Sequence, residues 1–550
     1  MRLWRRILPY AAAGLAGLAM IALGPAEAAN AERGGGDRPV RTGWRFDATA
    51  TEVGDVARVV GADRLWASGT TGDGVGVALI DTGVTPVDGL RAVVHGPDLS
   101  VESQNPATRH LDTFGHGTHL AGIIAGRAAG FRGIAPGATL TSIKVGATGG
   151  AADVSQVIAA IDWVVAHRDD NPAGPIRVIN LAYGADGVQD YRIDPLTHAV
   201  ENAWRAGIVV VAAGGNGGAA APRLANPAYD PYVLAVGAAD TMGTIRAQDD
   251  TLTDFSSRGD ATRRVDLVAP GRSIVSLRNP GGYLDETYPG ARVGERLFKG
   301  SGTSQAAAVV SGAVALLLER QPGLTPDEVK AALVRGANRL PFAEGAGEGA
   351  GELDVARAVA DAARVARSDV AQTWPTSTGT GSLEASRGTV HIALNGAPLV
   401  GEYDLFGPFD TAEWARASSA GTAWDGGTWM GRTLTGEGWV SYGDGDSPWP
   451  GVSWSGVSWS GVSWSGVSWS GVSWSGVSWS GVSWSGVSWS GVSWSGVSWS
   501  GVSWSGVSWS GVSWSGVSWS GVSWSGVSWS GVSWSGVSWS GVAWSGEVWA

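Results

Sequence analysis

Five polar side chains stand where a chain could use them for chemistry. Asp81 ends the apolar run VGVALI (75–80) and precedes Thr82-Gly83. His116 and His119 lie three residues apart in FGHGTHLAG (114–122), with glycines flanking His116 and an apolar run following. Asn216 stands among glycines after GIVVVAAGG (207–215), and Ser304 ends the Gly-rich loop GSGTS (300–304), which opens into a long apolar helical stretch. Each has an ordinary structural use: Asp before Gly bonds its own turn, Ser caps a helix, and Asn is common in turns. Each also has a chemical use. A serine hydroxyl must lose its proton to attack a carbonyl, and an imidazole can take that proton near neutral pH. A carboxylate can orient the imidazole, and an amide or a helix N-terminus can stabilise developing negative charge. A metal reading of the histidine pair lacks ligands: the glutamate of the H-E-x-x-H pattern is missing, and the chain has no cysteine. His119, inside the helix start, reads as a packed or capping residue.

For these groups to meet, several loop ends must converge. VGVALID (75–81), ATLTSIKV (138–145), IRVINLA (176–182), GIVVVAAGG (207–215) and YVLAVGA (232–238) are short apolar runs of strand length. Between them VSQVIAAIDWVVAHR (154–168) and LTHAVENAWRAG (196–207) have helical spacing. Alternating strand and helix predicts an α/β fold, a parallel sheet with helices on both faces. In such sheets functional residues gather at the carboxyl ends of the strands. Asp81 and Asn216 fall at such ends.

LIDTG (79–83), GHGTHLAG (115–122) and GTSQAA (302–307), in the order Asp, His, Ser, resemble the three motifs of the subtilisin-like serine proteases, whose chain order this is. The resemblance runs from about residue 59 to about 365 and implies that family's fold. By position it implies Ser304 as nucleophile, His116 as general base and then acid, Asp81 as the orienting carboxylate, and Asn216 as the oxyanion donor. INLAYG (179–184) resembles the strand that pairs with extended substrate, which implies substrate contacts at Leu181, Ala182, Tyr183 and Gly184. Ala213, Gly214 and Gly215 resemble the opposite wall of the primary specificity pocket, and Ala225 its base. Small walls imply a large apolar side chain before the scissile bond. Two departures stand out. Gln305 and Ala308 replace the Met and Pro common after the nucleophile, and RAAGFRG (127–133) lacks the Asn-rich calcium-binding insertion of some secreted members. No cofactor is implied, and calcium has no support at that site.

The remaining chain sets the context. A net charge of -12 argues against nucleic acid as a partner and leaves protein or peptide substrates. Arg2, Arg5 and Arg6, an apolar stretch and Ala26-Glu27-Ala28 read as a signal peptide over 1–28, so we expect a secreted protein with no membrane span after cleavage. Residues 29–52 read as a flexible lead-in, 53–367 as the peptidase domain, 368–449 as an accessory or linker region, and 450–550 as a repeat tail. In that tail GVSWS recurs 18 times from Gly451 to Ser540. It lacks charge, which argues against ordinary solvated disorder. A disordered low-complexity tail and a β-solenoid with Trp outward are the two structural readings, and an aggregation-prone tail is the plain alternative to a binding role. An outward Trp array would suit cell-envelope polysaccharide. The alternative function is then a cell-surface binding or structural protein whose protease domain is inactive or secondary.

Overall fold

The computed structural model describes residues 44–432, apart from 92, 104, 341–345, 390, 395–396, 406 and 426, together with the short strands of the repeat tail between Ser453 and Trp549. The expected signal peptide and the first part of the lead-in lie outside the described residues.

The apolar runs form a mixed sheet with a parallel centre. Its strands are β1 (Gly76–Asp81), β2 (Val94–Asp98), β3 (Thr139–Lys144), β4 (Ile176–Leu181), β5 (Val209–Ala213), β6 (Leu234–Asp240) and β7 (Leu267–Pro270). The order across the sheet is β2-β3-β1-β4-β5-β6, with β7 parallel to β6 and Thr251–Leu252 antiparallel to it. Every residue of β1 and β5 is buried, as expected for strands covered on both faces. After β1 the chain first builds one side of the sheet and then crosses to the other. Asp81 therefore stands at the switch point, where a crevice opens beyond the strand ends.

Helix α1 (His116–Ala125) packs with α4 (Thr303–Arg320), while α2 (Val154–His167) packs with α3 (Pro195–Arg205). Their sequences explain their ends. Asp153 and Gln156 form a capping box at the start of α2, and Asp194 caps α3 with Pro195 in its first turn. From Gln305 to Leu318 every residue of α4 is buried, which is why it is apolar all round.

Both flanks of the domain are docked against it. Residues 44–52, expected within a flexible lead-in, lie against the domain. Thr51–Glu52 pairs in parallel with Ile274–Val275, and the Ser301 N–H donates to Arg45 O at 2.8 Å. On the other flank, Leu383, Phe409, Trp414, Trp424 and Trp429 belong to the same hydrophobic core as the sheet and helices. Trp414 and Trp429 donate their indole N–H groups to Asp162 Oδ2 at 2.7 and 2.9 Å, and Ser418 Oγ donates to Oδ1 at 2.6 Å. That answers why an otherwise apolar helix, α2, carries a buried aspartate. Burial still pushes the Asp162 carboxyl up despite these bonds.

In the tail each Ser-Trp-Ser triplet is a short strand, paired in parallel and in register with the triplet four repeats later, as in Trp454 with Trp474 and Trp474 with Trp494. Four sheets of five strands result. This is solenoid connectivity: one repeat per side, four repeats per coil.

Candidate active site

Asp81 leaves β1 with its backbone already fixed by the sheet, and its carboxylate meets the first residue of α1. His116 Nδ1 lies 2.8 Å from Asp81 Oδ1 and 2.9 Å from Oδ2, and the Thr82 N–H also donates to Oδ1 at 2.8 Å. The contact requires α1 to start unusually close to the β1 turn. Gly117 allows it, because a Cβ there would stand 2.1 Å from Gly83 O. Burial disfavours the imidazolium, but the Asp81 charge and hydrogen bond outweigh it, so the His116 pKa is held above its usual value. His119 is different. Its ring is fully buried, Nε2 lies 3.2 and 3.1 Å from Ile274 O and Phe298 O, and burial and His116 push its pKa down to about 3. It is neutral and structural, a tie between α1 and the strand segments at Ile274 and Phe298.

Ser304 and Asn216 line the same cleft as His116, a cavity of about 510 Å³. Ser304 is the second residue of α4, at the positive end of the helix. Asn216 follows β5, and its Oδ1 accepts from the Thr303 backbone N–H at 2.9 Å and from Thr303 Oγ1 at 3.1 Å. With its oxygen so engaged and no partner for Nδ2 among the described residues, the amide N–H groups are left for the cleft. The arrangement can orient an imidazole beside a hydroxyl and offer an amide donor to an anion.

Of the expected substrate contacts, Ala182, Tyr183, Gly184, Ala213, Gly215 and Ala225 line this cleft. Leu181 and Gly214 do not. Leu181 is the last residue of β4, with its side chain fully buried in the sheet core. The Gly214 N–H donates to Val236 O at 2.8 Å, and a Cβ on it would face Val236 and Val265. Both therefore support the cleft from behind.

Two residues escape a sequence reading. Asp112 is buried and organises the loop before α1: its Oδ1 accepts from the Gly115 N–H at 2.6 Å and Thr82 Oγ1 at 2.8 Å, and its Oδ2 from the Thr118 N–H at 2.7 Å. Burial raises its pKa despite these donors. The signal available was only an Asp four residues ahead of His116. Trp44 also lines the cleft, edge-on to His116 with ring centroids 6.0 Å apart. Its signal was the pair of aromatics, Trp44 and Phe46, in a stretch otherwise rich in Gly and Arg.

Among the described residues no helix is long and apolar enough to cross a membrane. Comparison with known proteins gives consistent relatives. The pattern described as the Subtilase family matches residues 72–354. The chain is 39% identical over 300 residues to serine protease AprX of Bacillus subtilis (strain 168), covering 53% of this chain and 66% of that protein. It is 33% identical over 287 residues to subtilisin DY of Bacillus licheniformis, covering 51% of this chain and 90% of that protein. With the major intracellular serine protease of Bacillus subtilis (strain 168), the identity is 32% over 306 residues, 53% of this chain and 85% of that protein. On the family match over residues 72–354 and the nine-tenths coverage of subtilisin DY, this chain belongs to the subtilase family and carries a subtilisin-type serine peptidase domain.

Proposed function

We propose that the chain is an exported serine endopeptidase that cleaves peptide bonds through an acyl-enzyme on Ser304. The observation that carries this reading is the Asp81–His116 pair, with carboxylate and Nδ1 2.8 Å apart, opening onto the cleft that Ser304 and Asn216 also line. His116 takes the Ser304 proton as Oγ attacks the substrate carbonyl, and Asp81 stabilises the imidazolium that results. The Asn216 amide and the Ser304 backbone N–H receive the oxyanion. His116 then returns the proton to the departing amine, and a water, activated in the same way, releases the acyl group. The substrate backbone lies along Ala182, Tyr183 and Gly184, with the side chain before the scissile bond between that segment and Ala213, Gly215 and Ala225.

The test is digestion of a mixed protein substrate by the purified protein beside Ser304→Ala. Cleavage by the wild type alone, with large apolar residues before the cut sites, is expected. Equal activity in Ser304→Ala refutes the mechanism. Export rests on the N-terminal Arg, apolar and Ala-x-Ala sequence, since one relative is by name intracellular. Cell-surface retention through the repeat tail is part of the same reading and is supported by its regular Trp register. A pull-down of the full chain on cell-wall polysaccharide tests it, and no retention removes it.

A further inference from the structure

We propose that Trp44 is a specificity-determining wall on the leaving-group side of the cleft, restricting the residue after the scissile bond to a small side chain; this rests on the endopeptidase reading above. The leaving amine must lie beside His116, because His116 gives it the proton. The acyl side of the cleft is taken by residues 182–184, 213, 215 and 225. Trp44 lines the same cleft and stands against the imidazole itself, edge-on to the His116 ring.

The ring is fixed from several directions. Trp44 Nε1 donates to Lys299 O at 2.6 Å, and its ring contacts His119 edge-on at 5.2 Å and Phe298 at 5.7 Å between centroids. The chain that follows is tied down as well: Ser301 N–H donates to Arg45 O, Lys299 Nζ donates to Asp47 O at 2.9 Å, and Arg272 pairs with Asp47 at 3.1 Å. An indole so held is a wall and not a flexible lid.

Gly300 shows how completely the ring uses the space. A Cβ at Gly300 would lie 2.2 Å from the Trp44 ring, so a strand that elsewhere could supply its own side chain here yields the volume to an indole from the N-terminal segment. The foot of the wall carries an orphan donor. Gln305 is 1% exposed, its Nε2 has no hydrogen-bond partner, and a Cβ at Gly300 would stand 3.0 Å from that atom. The subsite is therefore narrow, suited to Gly, Ala or Ser and hostile to a branched apolar side chain.

Acyl transfer tests this directly. The acyl-enzyme is formed from a peptide ester and offered amino-acid amides. The amine nitrogen attacks the acyl carbon, a C–N bond forms as the C–Oγ bond breaks, and the amine proton passes through His116 to Ser304 Oγ. The readout is the ratio of leucinamide to glycinamide transfer, an internal ratio that cancels any change in active-enzyme concentration. Wild type should favour glycinamide, and Trp44→Ala should raise the ratio at least about tenfold, the scale on which apolar pockets discriminate by size. Trp44→Phe keeps a ring against Phe298 and His119 and should fall between. A ratio in both variants within about twofold of wild type overturns the proposal while leaving the peptidase standing. A wild-type protein that never forms an acyl-enzyme overturns the endopeptidase reading, and this proposal with it.

Discussion

Arg387 offers the sharpest test of how the C-terminal flank is bound to the catalytic core. Its side chain and that of Asp153 are both 0% exposed, and they meet through Nε to Oδ2 at 2.5 Å and Nη2 to Oδ1 at 3.3 Å. The same guanidinium donates to Gly401 O at 2.6 Å and to Tyr403 O. Arg387→Ala would leave a buried carboxylate holding only the capping donors of α2, Ser155 N–H and Oγ among them, and two carbonyls without their donor. Breaking a buried pair from one side costs about 3–5 kcal/mol, a large share of the roughly 5–15 kcal/mol that keeps a domain folded. The assay is equilibrium urea unfolding in a Ser304→Ala background, which removes self-digestion. Asp153→Asn added to Arg387→Ala should recover part of the loss, because an amide needs no counter-charge and its oxygen can still cap α2. Ala152, beside Asp153, lines the cleft, so Arg387→Ala in the active protein should also raise KM for long peptides. A loss no larger than the about 0.5 kcal/mol of a surface substitution, or no recovery from the second change, refutes the reasoning.

Other expectations follow from the same geometry. kcat/KM should rise with pH through a His116 pKa above its usual value, because the base must be neutral. Asp81→Asn removes the carboxylate that raises that pKa, so the limb should move to lower pH while the rate falls by about 10⁴-fold; a limb that stays in place contradicts the assignment. Asn216→Ala should lower kcat by about a hundred- to a thousand-fold with little change in KM, a magnitude carried over from the equivalent donor of a subtilisin. Asp285 provides a structural pH test. Burial opposes its charge, but bonds from Arg278, the Gly281 N–H and Arg292 prevail and bring its pKa to about 2. The unfolded carboxyl titrates near about 3.9 and so takes its proton first. The stability Asp285 supplies is thus complete above about pH 4 and lost as pH falls towards 2, and acid unfolding of Asp285→Asn should lack that component.

The parts legible in sequence were those written locally. Asp81, His116 and Ser304 sit in short motifs beside apolar runs, so strand ends, helix starts and the side chains proposed for catalysis could be read together. Residues whose partners lie far along the chain could not be read this way. Asp162 looks misplaced in an apolar helix until Trp414, Ser418 and Trp429 reach it across the fold. Arg387 and Trp44 lie in stretches whose composition suggests linkers, and only tertiary docking gives them roles. Leu181 and Gly214 show a finer limit: a motif match selects a segment, whereas packing of the folded backbone decides which of its residues line the cleft.

The most direct test of the central claim is covalent. The purified chain is treated with a serine-directed fluorophosphonate, and the adduct is mapped by peptide mass. The account predicts a single adduct on Ser304, lost in His116→Ala. A folded wild-type protein that takes no label, or labelling of Ser304 that persists without His116, contradicts it.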